Sequence, residues 1–424
     1  MSHTHEPDDL SVYDRVRRSD AELEAWLTAG THQHEVIACL GEADYALLTP
    51  IAQAAARRPP RSDCHVFLLA GIMGSQLGRA RSTPWPANLL WLDPVDVMMG
   101  RLRELRLPDA QALQPLGTIA YTYYALKLRL QAAGFPVTMH HYDWRQDLAT
   151  LGAQLAAQLR QNGAETIYLV GHSMGGLVAR AALARPEAKR VKRAVLIATP
   201  NRGTLAPVQA LRGTFPTVRR LAAIDRMHSA EMLADIFSTF PSLYDMLPQG
   251  ETPSGLQLFD PAVWPASGPQ PDAARLRKAR GGGDWLTARD ERCRCIVGTQ
   301  QRTVTDITRR DDDFVYTISS AGDGTVPIAS ATLGDTGNYF LASDHSSLPR
   351  SLAVAQAVLE LLATGHCESL PQRPAPPIGA EVQVSDAELR TTYLTKIDWR
   401  ALTPEQRVLY LNQLNLAPPQ YAAT

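Results

Sequence analysis

Between residues 64 and about 366 the apolar positions fall into short unbroken runs separated by stretches of helical spacing. Val66-Phe67-Leu68-Leu69-Ala70 has no polar interruption. A strand that is apolar on both faces belongs inside a parallel sheet covered by helices. The pattern predicts strands near His65–Ala70, Val137–His141, Thr166–Val170, Ala194–Ala198, Cys293–Val297 and Tyr339–Ala342. Their alternation with helical segments places the chain in the α/β class.

The rhythm breaks in four places. Residues 1–60 read as a helical extension, with a capping box at Ser19-Asp20-Ala21-Glu22 followed by Leu23, Trp26 and Leu27 at helical spacing. A short helix over Glu35–Leu40 ends at Gly41, and the Arg/Pro-rich stretch 56–61 reads as a linker. Residues 84–99 form an apolar insertion containing Trp85 and Trp91. Residues 205–290 form a second one, mostly helical, carrying Phe215, Leu221, Met227, Met232 and Phe237 where a lid over the core would be inserted. After a proline-rich linker at 370–380, residues 381–424 read as a helical extension, with capping patterns at Ser385 and Thr403.

Composition narrows the function. The chain has 424 residues, 45% hydrophobic and 20% charged, with a formal net charge of −1 and its basic residues scattered. Such a balance gives no nucleic-acid footprint and no polybasic membrane anchor. Five cysteines, an odd and sparse number, argue against a disulfide scaffold, and Cys293 and Cys295 read as small core residues. Residues 1–10 are polar and acidic, and no window approaches a membrane span. The expected location is cytoplasmic, with export by a route without a cleaved signal left open.

The chemistry centres on Gly171-His172-Ser173-Met174-Gly175-Gly176, which follows a predicted strand and precedes a helical run. That context suits a nucleophile elbow, where a serine on a sharp turn projects from the sheet edge. A serine hydroxyl needs a base, and the base needs an orienting carboxylate. Downstream lie only His228, His345 and His366. His228 falls in the lid and His366 follows a helix end, so His345, just after a predicted strand, is the candidate base. The acid is sought in Gly322-Asp323-Gly324, with Asp335 and Asp344 as local alternatives. The backbone amide of Met174 is one expected oxyanion donor. The loop Gly71-Ile72-Met73-Gly74 after the first strand supplies the second and lies beside the substrate carbonyl, with Gly71 and Met73 as substrate contacts.

In order along residues 65–360, these motifs resemble the lecithin:cholesterol acyltransferase family of α/β-hydrolases. They are joined by Tyr142-Asp143-Trp144-Arg145, Ala198-Thr199-Pro200-Asn201-Arg202-Gly203-Thr204 and Phe240-Pro241-Ser242-Leu243-Tyr244. The resemblance implies an α/β-hydrolase domain over 64–366. It makes Asp323 the acid and Ile72 the second oxyanion donor. It also makes Trp85 and Trp91 membrane- or substrate-contacting residues and 205–245 a mobile lid, with Phe237 facing substrate. The family often has proline where Ala70 stands. The string Tyr142 to Arg145 reads on its own as a structural network.

The expectation is therefore a serine esterase or lipase acting on an acyl ester, phospholipid or another lipid, through an acyl-enzyme on Ser173, with no metal or organic cofactor. Two alternatives stand beside it. One is a lipid acyltransferase passing the acyl group to an alcohol. The other is an effector or partner-binding module whose terminal helices dock a protein. A transient membrane-surface contact fits the first two.

Overall fold

The computed structural model describes residues 19–79, 88–108, 112–282, 286, 288–335 and 337–391, together with 401, 402, 406, 410, 411 and 414. Trp85 and the capping pattern at Thr403 lie outside the described residues.

Six parallel strands form the central sheet: β1 (Cys64–Leu69), β5 (Val137–His140), β6 (Thr166–His172), β7 (Val191–Ile197), β8 (Cys293–Thr299) and β11 (Asn338–Ala342). Their spatial order is β11-β8-β7-β6-β1-β5. All six coincide with strands expected from the sequence, although β5 alternates Val137 and Met139 with polar residues. Alternate residues feed opposite faces, as the strand period of two requires. Phe67, Leu69, Ile167 and Leu169 pack with the helices Leu148–Gln161 and Met174–Leu183 on one face. Val66, Leu68, Val170, Val195 and Ile197 pack with Ala120–Ala132 and Leu352–Thr364 on the other. The cores therefore lie on both sides of the sheet, and the free ends of its strands are left for chemistry.

Two small antiparallel sheets escape the sequence reading. β2 (Ser75–Arg79), β3 (Asn88–Trp91) and β4 (Gln114–Thr118) form one, in the order β3-β2-β4. β9 (Thr303–Arg310), β10 (Asp313–Ser319) and β12 (Val382–Ser385) form the other, in the order β12-β10-β9. The C-terminal extension thus opens with a strand, not a helix, and the helix Asp386–Thr391 follows it. Ser385 and Glu388 exchange backbone and side-chain hydrogen bonds at that helix's start.

Among the described residues the N-terminal extension folds as three helices, Asp20–Ala29, Gln33–Leu40 and Glu42–Arg57. The capping box at Ser19 is formed in both directions. Leu23, Leu27, Val36, Leu40 and Leu48 bury against Tyr124, Ala125 and Leu128 of the helix Ala120–Ala132. Ion pairs from Lys127 to Glu24 and from Arg350 to Asp44 fasten the same contact. The region between β7 and β8 carries the helices Ala206–Leu211, Pro216–Ile224, Ala230–Phe237, Pro241–Asp245 and Ala273–Ala279. Leu211, Leu221, Leu233 and Phe237 are buried, so this cap shares the main core. Among the described residues no helix is long and apolar enough to cross a membrane.

Candidate active site

Parallel strands point their carboxyl ends the same way, and ligands of open α/β sheets bind there. Ser173 follows β6, the loop from Ala70 follows β1, and His345 follows β11. The chain leaves β8, makes the β9–β10 hairpin and returns, so that Asp323 pairs with Gln301 at the end of β8. The inserted hairpin thus leaves Asp323 at the carboxyl edge of the sheet.

Ser173 sits at the N-cap of the helix Met174–Leu183 with φ 53° and ψ −126°, a backbone conformation costly for a residue with a Cβ. The turn is held by its amide, which donates to the Ile197 carbonyl at 2.8 Å. The glycines leave no room for side chains: a Cβ on Gly175 would lie 2.4 Å from the Ala70 carbonyl oxygen, and one on Gly176 would strike Thr199. These contacts press the start of the helix against β1 and β7, leaving the serine on the crest of the turn.

His345 donates from Nδ1 to Asp323 Oδ2 at 2.8 Å. The second carboxylate oxygen, Oδ1, accepts from the amides of Thr325 at 2.9 Å and Val326 at 2.7 Å. Asp323 is almost wholly buried. With the Nδ1 proton engaged, the neutral imidazole keeps Nε2 as an acceptor. The rival acids point elsewhere: Asp344 accepts from the Ser347 amide and Asp335 is exposed. Among the other histidines, His228 pairs with Asp225 inside the cap at 2.9 Å, and His366 contacts Tyr339.

The loop after β1 turns tightly, the Gly74 amide donating to the Gly71 carbonyl at 3.0 Å, with Met73 at φ 63°. A Cβ on Gly71 would lie 3.0 Å from the Ser173 Cβ, so the loop runs directly beside the serine. Among the described residues the amides of Ile72 and Met174 donate to no other group, which leaves both available to an oxyanion.

Aromatic side chains grip this loop. Tyr142 Oη donates to the Ala70 carbonyl, Trp91 Nε1 to that of Met73 at 2.8 Å, and Trp144 Nε1 to that of Ser75 at 3.0 Å. Tyr142 and Trp144 belong to the string read as structural. Its Asp143 and Arg145 form a two-pronged ion pair, with Arg145 fully buried and also donating to the Leu105 carbonyl. Trp91 and Phe237, expected as substrate contacts, are both buried in one aromatic stack with Trp144 and Phe240. Their surface is engaged in packing, and Trp91 acts on the site through the Met73 carbonyl.

Sequence reasoning missed Tyr123 and gave His172 no role of its own. Tyr123 Oη accepts from the Gly71 amide at 2.7 Å and contacts His172 Nδ1 at 3.0 Å. His172 Nε2 lies 3.0 Å from the His345 carbonyl oxygen. Burial, reinforced by the nearby His345, keeps the His172 ring neutral by lowering its pKa well below the usual histidine range. The position of His172 immediately before Ser173 was the available signal.

A family model described as alpha/beta hydrolase fold matches residues 70–229. The chain has the α/β-hydrolase fold. No curated protein matches its sequence. Among solved structures it is similar to a lipase of Bacillus licheniformis, BlEst2, in its mature form. That likeness has 12% identity over 72% of this chain and 93% of the other, with a TM-score of 0.38. The propeptide form of the same lipase gives 15% identity over 73% and 52%, with a TM-score of 0.40. The Tle4–Tli4 complex gives 13% identity over 58% and 77%, with a TM-score of 0.39.

Proposed function

We propose that this α/β-hydrolase-fold chain is a serine esterase of the lipase kind. In this reading Ser173 attacks an ester carbonyl while His345, oriented by Asp323, takes its proton. The amides of Ile72 and Met174 receive the oxyanion. The acyl-enzyme on Ser173 is then released to water, with His345 as base again. The observation that carries the reading is the hydrogen-bonded pair of buried Asp323 and half-buried His345 at the same sheet edge as a serine held in an elbow conformation. A pair satisfied in this way gives the base one tautomer and one orientation, which is what acyl transfer needs from it.

A lipid is the substrate class favoured by the resemblance to the lecithin:cholesterol acyltransferase family and by the cap. Met99, Met227 and Met232 are 60%, 65% and 49% exposed. A Cβ on Gly100 would meet the Met227 side chain, so the insertion and the cap adjoin at this apolar rim. Flexible, polarizable methionines on a surface suit contact with variable apolar partners.

The test is lipid mass spectrometry after mixing the protein with phospholipid vesicles, with Ser173→Ala as the control. Fatty acid and lysophospholipid formed only by the wild type support the reading. An acylated alcohol in their place assigns an acyltransferase. Cleavage of short p-nitrophenyl esters with intact phospholipid retains the esterase and removes the lipid.

A further inference from the structure

The two loops that carry the reacting groups are joined by a chain of four polar groups with defined polarity. A carbonyl oxygen only accepts, so His172 Nε2 carries the proton toward His345. The ring is neutral, so Nδ1 accepts, and Tyr123 Oη–H is its donor. The same phenolic oxygen then accepts from the Gly71 amide. The run is Gly71 N–H to Tyr123 O–H to His172, then His172 N–H to the His345 carbonyl.

Each end bears on chemistry. At one end Gly71, the most permissive residue type, is held at both of its backbone polar groups: its amide by Tyr123 and its carbonyl by the Gly74 amide. A planar trans peptide points the Ile72 N–H opposite to the Gly71 carbonyl. Holding that carbonyl therefore aims the Ile72 amide. At the other end His345 is held at its amide by the Asp323 carbonyl, at its ring by the Asp323 carboxylate, and at its own carbonyl by His172. The two imidazoles stand 4.8 Å apart, centroid to centroid.

We infer that Tyr123 and His172 are positioning residues that tie the oxyanion loop to the histidine loop, setting the Ile72 amide and the His345 ring with one hydrogen-bonded chain. The inference rests on the serine-hydrolase reading above. The Gly71 amide and the His345 carbonyl are backbone groups that need partners, and the polar pair supplies both while giving the two loops a fixed distance and direction.

The experiment uses the full chain with Tyr123→Phe, His172→Leu and His172→Gln. Active sites are counted by fluorophosphonate labelling of Ser173, and p-nitrophenyl butyrate hydrolysis is read per labelled site, which removes any partly unfolded fraction. Tyr123→Phe and His172→Leu are expected to lower kcat per site by roughly 10- to 100-fold, the scale of a small misplacement of reacting groups. KM should stay within about threefold, because ground-state binding is not what the chain supports. His172→Gln should recover much of the loss, since its amide N–H reaches toward the His345 carbonyl. Unchanged per-site kcat and labelling rate in Tyr123→Phe and His172→Leu overturn the positioning role while leaving the hydrolase reading intact. A glutamine no better than leucine overturns the link to His345. Absence of labelling at Ser173 in the wild type overturns the hydrolase reading and this inference with it.

Discussion

Asp323 holds His345 twice: its carboxylate accepts from the ring Nδ1 at 2.8 Å, and its backbone carbonyl accepts from the His345 amide at 2.8 Å. Two attachments to one residue remove the freedom of the histidine loop to slide past the acid. The other carboxylate oxygen is bound by the Thr325 and Val326 amides, so the carboxylate cannot rotate without breaking two bonds. The β8 end supports this arrangement sterically, for a Cβ on Gly298 would lie 2.5 Å from the Asp323 Cβ.

Replacing Asp323 with asparagine tests the electronic part of that relationship. The amide oxygen still satisfies the Thr325 and Val326 amides, while its NH2 faces Nδ1 and favours the wrong tautomer. Ester hydrolysis should fall by on the order of 10⁴-fold in kcat with the fold retained. Steady-state kinetics beside a circular dichroism melt checks this. A loss below tenfold in a folded variant would remove Asp323 from the mechanism.

Ser173 makes a prediction about stability as well as activity. Its backbone conformation carries strain of order 1–3 kcal/mol for a residue with a Cβ. Glycine relieves that strain at an entropic cost of roughly 0.5–1 kcal/mol. Ser173→Gly and Ser173→Ala should both be inactive, but the glycine variant should melt higher than the alanine variant. Equal melting temperatures would show that the elbow is not strained.

The sheet and the candidate trio were legible for different reasons. The inner strands β1, β6 and β7 each carry an unbroken apolar run buried on both faces, whereas the edge strand β5 shows only Val137 and Met139 among polar residues. Ser173, Asp323 and His345 stood out because few residues of the right type occur in the right order. β9 was illegible because its only apolar residues, Val304 and Ile307, stand three apart, off the strand period of two, while its other positions carry Thr, Asp and Arg. In the charge run Asp311 to Asp313, Asp311 and Asp312 make the turn of that hairpin, with Asp311 at φ 52°, and Asp313 opens β10. β12 has four residues and pairs with a strand more than sixty positions away, which no local pattern reveals. Tyr123 hid among apolar neighbours in a helix, and nothing in an aromatic residue's identity told whether Trp91 or Phe237 would face substrate or core.

The same distant pairing creates a buried charge cluster at the base of the cap. Arg212 and Asp386 are both fully buried and form an ion pair at 2.8 Å. Asp386 also accepts from Tyr316 and Thr214, and Arg212 donates to the carbonyls of Pro265, Ser267 and Pro269. Asp386→Ala should destabilise the protein by about 3–5 kcal/mol, because it leaves a buried guanidinium without its counter-charge. Urea denaturation measures this, and a change under about 1 kcal/mol would mean that the carbonyls alone satisfy Arg212.

Asp245 gives the fold a pH dependence of unusual sign. It lies at the end of the cap helix Pro241–Asp245 and accepts from the Leu148 amide at 2.8 Å. The surrounding cavity is lined by Asp147, Tyr244, Arg275 and Lys278. Burial, aided by the Asp147 charge and opposed by the Leu148 amide and Lys278, pushes its carboxyl up to about 6. The folded state therefore holds this proton more tightly than the unfolded chain, where an aspartate titrates near 3.9. The contribution is fully present below about pH 4 and is lost as pH rises through about 6. Asparagine keeps the acceptor for Leu148 and never ionises. Asp245→Asn should match the wild type near pH 4 and exceed it by about 2–3 kcal/mol above pH 7, the energy of a two-unit shift. Chemical denaturation of both proteins across that range provides the measurement. A gap that stays constant with pH would place the titration elsewhere.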